Sequence, residues 1–409
     1  MLLTALLGAL ALVVAGCSQG GTGAGEAGRA AASEATPGAA QSTHSTDQPQ
    51  PSARPSGQPS ANGGRTVAPV RLKRLRGGEH RLKVAMPAPY TPSAPYGTGT
   101  DDYRCFLLDP HLTRDTFITG MDILPGTPSV VHHVILFRVP PSRVPQAEAK
   151  DASEAGEGWT CFGGTGIDTR GALDDAPWLG AWAPGGSEQV LAPDVGVPME
   201  KGSRVIMQVH YNLLAGPRPD VTTAQLRLAA PHAHLDPLET VLLPAPVELP
   251  CRAGHDDAPL CDRAKALADV SERFGPAGLA ADYLHLLCGP VEPGPVQTCT
   301  RTMQGPATIR ATAGHMHLLG RSIKIEVDPG TPRARTVLDI GTWDFDNQGS
   351  RPVEPVHLRR GDTVRVTCRH DQSLRDLLPA FKGQPDRYVL WGEGTTDEMC
   401  LGILLVTRP

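Results

Sequence analysis

GHMHLLGRSIKIEV, residues 314–327, sets two histidines two residues apart in a largely apolar run. The segment predicts a β-strand, in which side chains alternate between faces, so that His315 and His317 share one face. A buried strand face gains more from two leucines than from two imidazoles, unless the imidazoles have something to bind. A metal ion is one answer. The wet side of a half-exposed strand is the other, and an H-x-H pair alone does not choose.

The same strand signature recurs on both sides of this run. DTFITGMDIL (115–124), SVVHHVILFRV (129–139), SRVIMQVHYNLL (203–214) and TAQLRLA (223–229) form a first series. TVLLPAPVEL (240–249), ATIRATAGHMHLLG (307–320), RTVLDIGTW (335–343), DTVRVTC (362–368) and CLGILLVT (400–407) belong to a second. Many short strands, mostly separated by Gly/Pro turns, predict an all-β chain of two tandem β-sandwich domains, not a parallel α/β sheet. APHAHLDPLE (230–239) reads as the link, giving domains over 71–230 and 231–409. One insertion breaks the pattern. CDRAKALADVSERFGPAGLAADYLHLLC (261–288) has Leu267, Val270 and Phe274 at helical spacing, then Leu279, Tyr283 and Leu286, divided by Gly275-Pro276. It predicts a structural helical hairpin with a cysteine at each end.

The first sixteen residues are apolar and uncharged and end at Cys17. The run is shorter than the ~20 residues a transmembrane helix needs and fits an export signal. VAGC, residues 14–17, resembles a bacterial lipobox, which implies a lipidated Cys17 and a protein anchored on the outer face of the cell membrane. No Lys or Arg precedes the apolar run, a departure from that pattern. Residues 18–66 contain no Leu, Ile, Val, Met or aromatic residue, so a stretch over 18–70 is expected to be a disordered tether. The net charge of −5 offers no basic footprint for nucleic acid. Eight cysteines follow Cys17: Cys105, Cys161, Cys251, Cys261, Cys288, Cys299, Cys368 and Cys400. An even number in an exported chain without C-x-x-C spacing predicts disulfides rather than a zinc ribbon.

Four further features carry chemistry. His132 and His133 are adjacent in VVHHVILF, and can share a metal only where a bulge or strand end turns both to one side. Gln208-Val209-His210-Tyr211 lies in another strand. His315-Met316-His317 is the opening pair. Gly392-Glu393-Gly394 is followed by Met399-Cys400, just before the last strand. In this order the motifs resemble those of the copper type II, ascorbate-dependent monooxygenases, the family of peptidylglycine α-hydroxylating monooxygenase and dopamine β-monooxygenase. The resemblance runs from about Asp101 to Leu405 and includes DDYRC and the path WAPGGSEQVLAPDVGVPMEKGSRVIMQVHY.

The resemblance implies two jelly-roll-like domains and two coppers per chain, on separate domains across a solvent-filled cleft. His132, His133 and His210 would hold the copper that stores and passes an electron. His315, His317 and Met399 would hold the one at which dioxygen binds and a substrate C–H bond is broken, with ascorbate or a similar one-electron donor as reductant. Imidazole suits copper, and a thioether favours Cu(I). Gln208 and Tyr211 would support His210 or simply pack. The resemblance also pairs Cys105 with Cys161 and Cys368 with Cys400. The other four cysteines allow three pairings that sequence does not separate, with a leaning to Cys261–Cys288 closing the helical hairpin and Cys251–Cys299 at its base. His232 and His234 match no family ligand, and His357 and His370 read as surface or turn residues.

Two departures concern substrate. The arginine that grips a substrate carboxylate in peptide-hydroxylating members is Ala313 here, and the polar residues beyond the Met-Cys are Leu401-Gly402-Ile403. The expected activity is hydroxylation of an activated C–H bond of a small neutral or apolar substrate. The competing expectation is a copper-binding or copper-handling lipoprotein without turnover.

Overall fold

Residues 314–327 are strand at both ends and turn in the middle: one strand ends at His315 and the next begins at Gly320. The computed structural model that establishes this describes residues 72–95, 99–167 and 178–409. The apolar leader, Cys17 and the expected tether lie outside them. The strands are β1 (His80–Ala85), β2 (Asp101–Leu108), β3 (Thr116–Leu124), β4 (Val131–Val139), β5 (Trp159–Thr160), β6 (Trp178–Trp182), β7 (Gln189–Val190), β8 (Val195–Met199), β9 (Arg204–Asn212) and β10 (Thr223–Leu228). They continue as β11 (Asp236–Pro244), β12 (Glu248–Leu249), β13 (Val296–Thr302), β14 (Ala307–His315), β15 (Gly320–Val327), β16 (Arg335–Ile340), β17 (Arg351–Leu358), β18 (Thr363–His370), β19 (Val389–Leu390) and β20 (Leu401–Thr407). Helices α1 (Val144–Asp151), α2 (Arg263–Phe274) and α3 (Ala280–Cys288) complete the list.

The fold is an all-β sandwich architecture. In the first half a five-stranded sheet, β5-β2-β9-β4-β6, packs on β1, β10, β3 and β8. Val134, Leu136, Val205, Met207 and Val209 on its inner strands are fully buried, each contributing roughly 1.5–3 kcal/mol. In the second half β13-β18-β15-β16 packs on β11, β20, β14 and β17. A short parallel pairing, Asp236 with Val195 and Pro237 with Gly196, joins the two back sheets into one of nine strands. The expected link after residue 230 falls in the turn between β10 and β11, with His232 and His234 exposed. No described helix is long and apolar enough to cross a membrane.

β17 was not legible as a strand. Its sequence, RPVEPVHL, carries two prolines and is mostly exposed, and the sheet accommodates it as an edge.

The insertion is helical as expected. Asp262 caps α2 by accepting the Lys265 N–H at 2.9 Å, and Val270 and Phe274 are buried. In α3 the expected apolar face is the wrong one. Ala281 and Leu284 are buried, whereas Leu279, Tyr283 and Leu286 are 58%, 40% and 83% exposed. AADYLHLLC is apolar on more than one side, so periodicity alone could not choose the face.

Four disulfides form: Cys105–Cys161, Cys251–Cys261, Cys288–Cys299 and Cys368–Cys400. The expected Cys261–Cys288 and Cys251–Cys299 pairs do not. Cys251 and Cys261 close the loop before α2, and Cys288 at the end of α3 faces Cys299 on β13. Four disulfides are consistent with an exported protein in an oxidising compartment.

Candidate metal centre

His210 stands on β9 between two neighbours, opposite Tyr103 on β2 and His133 on β4. The β4–β9 ladder slips by one residue between Val131 and His133, which makes His132 the extra residue of a bulge. The bulge brings consecutive side chains to one side, as the adjacent pair requires. The Nδ1 atoms of the three rings converge: 3.1 Å between His132 and His210, 3.2 Å between His132 and His133, and 3.3 Å between His133 and His210.

All three histidines are buried. Burial and the neighbouring imidazoles push His132 and His133 well below the ordinary 6.5. Burial lowers His210 as well, although its bond to Asp101 pulls the other way. The rings are therefore neutral. Asp101 Oδ1 accepts the His210 Nε2–H at 2.8 Å, which leaves Nδ1 as a lone pair facing the other two rings. A point equidistant from three nitrogens at these spacings lies about 1.9 Å from each, close to the ~2.0–2.1 Å of a metal–imidazole bond. The three nitrogens fit a single metal ion.

Asp101 is itself held by Thr395, whose N–H and Oγ1–H donate to the same oxygen at 3.1 and 2.6 Å. Burial would raise its carboxyl, but the bonds from His210, Thr395 and Thr100 outweigh it and hold the group ionised. Tyr103 stacks on His210 with ring centroids 4.0 Å apart, and Phe345 stacks on His132 at 4.4 Å.

The second set meets where β14 ends and β20 begins, because His315 pairs with Leu401, two residues after Met399. His317 lies beyond the strand end, so strand alternation is not what brings it beside His315. A turn over 316–319 does, and the two rings sit 5.1 Å apart. Gln348 Nε2–H donates to the Phe345 carbonyl, which turns Gln348 Oε1 towards His315 Nδ1 at 2.6 Å. His315 therefore offers Nε2. Burial and His317 push its pKa down to about 3. Both ring nitrogens of His317 are buried without a hydrogen-bond partner, the mark of a group that lacks its ligand. Met399 is buried and lines the same cavity as His315.

Glu398 ties this set together. Its Oε2 accepts the N–H of His317 at 3.0 Å and of Met399 at 3.1 Å, and its Oε1 accepts Leu319 N–H at 2.6 Å. Two segments about eighty residues apart in sequence are thereby fixed to one carboxylate. His370, expected at the surface, is buried behind it, with Nε2 3.3 Å from the Met399 carbonyl oxygen and 3.4 Å from Glu398 Oε2. It closes β18, which lies between β13 and β15, and a sequence window could not see the remote residues that cover it. His357 is exposed on β17, as expected.

The two sets are not separated by an open cleft. His133 and His315 lie edge to face with centroids 5.6 Å apart, and Phe345 touches both His132 and His317. The loop before β20 draws the halves together: Tyr103 Oη–H donates to the Glu393 carbonyl at 2.9 Å, and Asn212 Nδ2–H to Thr395 Oγ1 at 3.1 Å. Five imidazoles thus form one cluster.

Gln208 and Tyr211 pack rather than support a ligand. Gln208 Nε2–H donates to the Cys161 carbonyl at 2.9 Å, and Tyr211 Oη–H to Asp220 Oδ2 at 3.2 Å. Sequence reasoning missed Asp101, Gln348, Phe345 and Glu398. Two carried a signal: Asp101 opens DDYRC, and Glu398 directly precedes Met399.

Beside the cluster lies a cavity of about 920 Å³, with His133, His315 and Met399 in its wall. Ala313, Leu401 and Ile403, named above for the departures from the resembled pattern, line it too. Among the described residues no Lys or Arg does. Among the described residues the one carboxyl in its wall is Glu393, which burial pushes up to about 7.

No family model matches the chain, and no curated protein matches it. Among solved structures it is similar to the major capsid protein P2 of bacteriophage PM2, at TM-score 0.28 and 10% identity over 80% of this chain and 97% of that one. It is similar to the VP2 subviral particle of infectious bursal disease virus at TM-score 0.18 and 7% identity, over 81% of this chain and 72% of that one. It is also similar to procruciferin, an 11S globulin from Brassica napus, at TM-score 0.16 and 11% identity, over 80% and 83% of the two chains. Likenesses this faint carry no argument about activity.

Proposed function

We propose that this chain is a copper-dependent monooxygenase, exported and anchored through Cys17, that hydroxylates a C–H bond with dioxygen and ascorbate or a similar one-electron donor. The observation that carries the reading is the convergence of three neutral imidazole Nδ1 atoms 3.1–3.3 Å apart, beside a second histidine pair at 5.6 Å. His132, His133 and His210 would hold one copper, and His315, His317 and Met399 the other. Bound copper supplies one-electron chemistry and activation of dioxygen: one oxygen atom enters the C–H bond, and the other leaves as water with two electrons and two protons.

The chain's own residues set the conditions. Neutral rings keep their lone pairs available, since burial disfavours protonation. Asp101 and Gln348 fix which nitrogen of His210 and of His315 faces inward. Glu398 holds the His317 and Met399 backbones in register, and the thioether favours the reduced ion. Ala313, Leu401 and Ile403 would set apolar surface against the reacting carbon. The leader and VAGC support export and anchoring.

Metal analysis should find two coppers per chain, with a sulfur scatterer in the reduced form that Met399→Ile removes. With labelled dioxygen and ascorbate, label should enter product. His133→Ala should stop turnover yet leave carbon monoxide binding at the second copper. If both variants merely lower copper affinity and a broad substrate panel yields only peroxide, the chain is a copper-handling lipoprotein.

A further inference from the structure

The cavity is larger than the expected small substrate requires. At about 920 Å³ it lies at the top of the ~300–1,000 Å³ range of small-molecule sites. Both sandwiches build its wall, with Ile118 and Met121 from the first half and Leu242 and Ile403 from the second. An anionic end group buried here would find no Lys or Arg among the described residues, and would meet Glu393. The wall is mostly apolar, with neutral polar side chains such as Gln146, Gln189, Thr240 and Ser350 set among the apolar ones, and the Glu393 carboxyl takes the Gly163 backbone N–H.

The misread helix supplies the second observation. Leu279 and Tyr283 are exposed and also line the cavity, and Leu286 continues the apolar stripe outward on α3. Large apolar side chains left in water at a cavity rim cover nothing of the protein's own core. They make a collar that an apolar molecule crosses on its way in.

We propose, resting on the oxygenase reading, that the substrate is an extended, uncharged apolar molecule of lipid-like size that enters past α3 and fills this cavity, with the carbon to be hydroxylated at the His315–Met399 end.

Binding can be read without turnover, because Trp178, Trp182 and Trp391 stand in the wall. The copper-loaded full chain is titrated with straight-chain primary alcohols from butanol to dodecanol, following tryptophan emission and heat. Affinity should rise about fourfold per methylene, the ratio that corresponds to ~0.8 kcal/mol per buried CH₂. Dodecanoate should bind more than tenfold weaker than dodecanol. Ile403→Trp should abolish binding by filling the cavity, and Leu279→Asp, at an exposed position that does not threaten folding, should weaken it at least fivefold. The inference is overturned if dodecanoate binds as well as dodecanol, if affinity stops rising at short chains, or if both variants bind normally. Saturable alcohol binding with no label incorporated from dioxygen into any substrate would sink the oxygenase reading and leave the cavity assignment standing. Label incorporated into a short polar substrate, with no alcohol binding, would do the reverse.

Discussion

Acidification of the metal-free protein probes the imidazole cluster directly. His132, His133 and His315 are held neutral by burial, with His315 down at about 3, while the unfolded chain titrates them near 6.5. Below that value the unfolded state binds more protons than the folded state, so stability is present above pH 6.5 and is lost as pH falls. From about pH 8 to about pH 5 His315 alone removes about 2 kcal/mol, and His132 and His133 remove more in the same direction. His210 acts in the same direction. Glu393 acts against them: its carboxyl is raised from 4.5 to about 7, so its folded form takes up the proton first. That returns about 2–3 kcal/mol over the same interval. Asp102 and Asp122, also raised by burial, add to its side. Four imidazoles act against the carboxyls, so the net expectation is a loss of stability on acidification, against the ~5–15 kcal/mol that holds a domain folded. Urea unfolding of the metal-free chain at the two pH values measures it. His133→Leu should recover part of the loss. Equal or greater stability at the lower pH would refute the reasoning, because the rings would then be charged or solvated in the fold.

Three other perturbations separate the parts of the site. Asp101→Asn removes the charge that orients His210, and should weaken metal binding at the first set about 10–100-fold in competition titrations, while the second set is unchanged. Glu398→Gln replaces one acceptor oxygen with a donor, leaving at least one buried N–H of His317, Leu319 or Met399 unpaired; denaturant unfolding should show a loss of about 1–3 kcal/mol per orphaned group, and wild-type stability would count against the clamp. Peptide mapping without reduction should recover Cys251 with Cys261 and Cys288 with Cys299, and a Cys251→Ser/Cys261→Ser chain should lose about 3 kcal/mol, less than the roughly 4 kcal/mol expected for the longer Cys105–Cys161 loop.

Where a local rule was strict, the sequence could be read. Two consecutive histidines can face one ion only through a bulge, and the β4–β9 ladder slips at His132. Runs such as VHHVILFRV and RVIMQVHYN are strands because β-branched and apolar residues dominate them and both lie inside a covered sheet. Where the deciding contact is remote, the reading failed. Nothing near RPVEPVHL says that a sheet edge waits for it. The sides of α3 are told apart only by the packing against Ala281 and Leu284 and the cavity beside Leu279 and Tyr283. His370 looked like a turn residue because its partner, Glu398, is twenty-eight positions away. The second pair of disulfides was misjudged because both correct bridges span short loops, Cys251–Cys261 and Cys288–Cys299, rather than the helices between them.

The Cys368–Cys400 bridge has a bearing on the order of assembly. Cys400 is the residue after Met399, so the crosslink to β18 anchors the chain beside that thioether. In a reducing compartment the eight bridge-forming sulfurs would be free thiols, and soft thiolates outcompete imidazole and thioether for a soft monovalent ion. Oxidation consumes all eight, and the histidines and Met399 are left without sulfur competitors from these positions. If the chain takes copper as proposed, crosslinking comes before metallation, and a site able to capture the ion correctly forms only in an oxidising compartment.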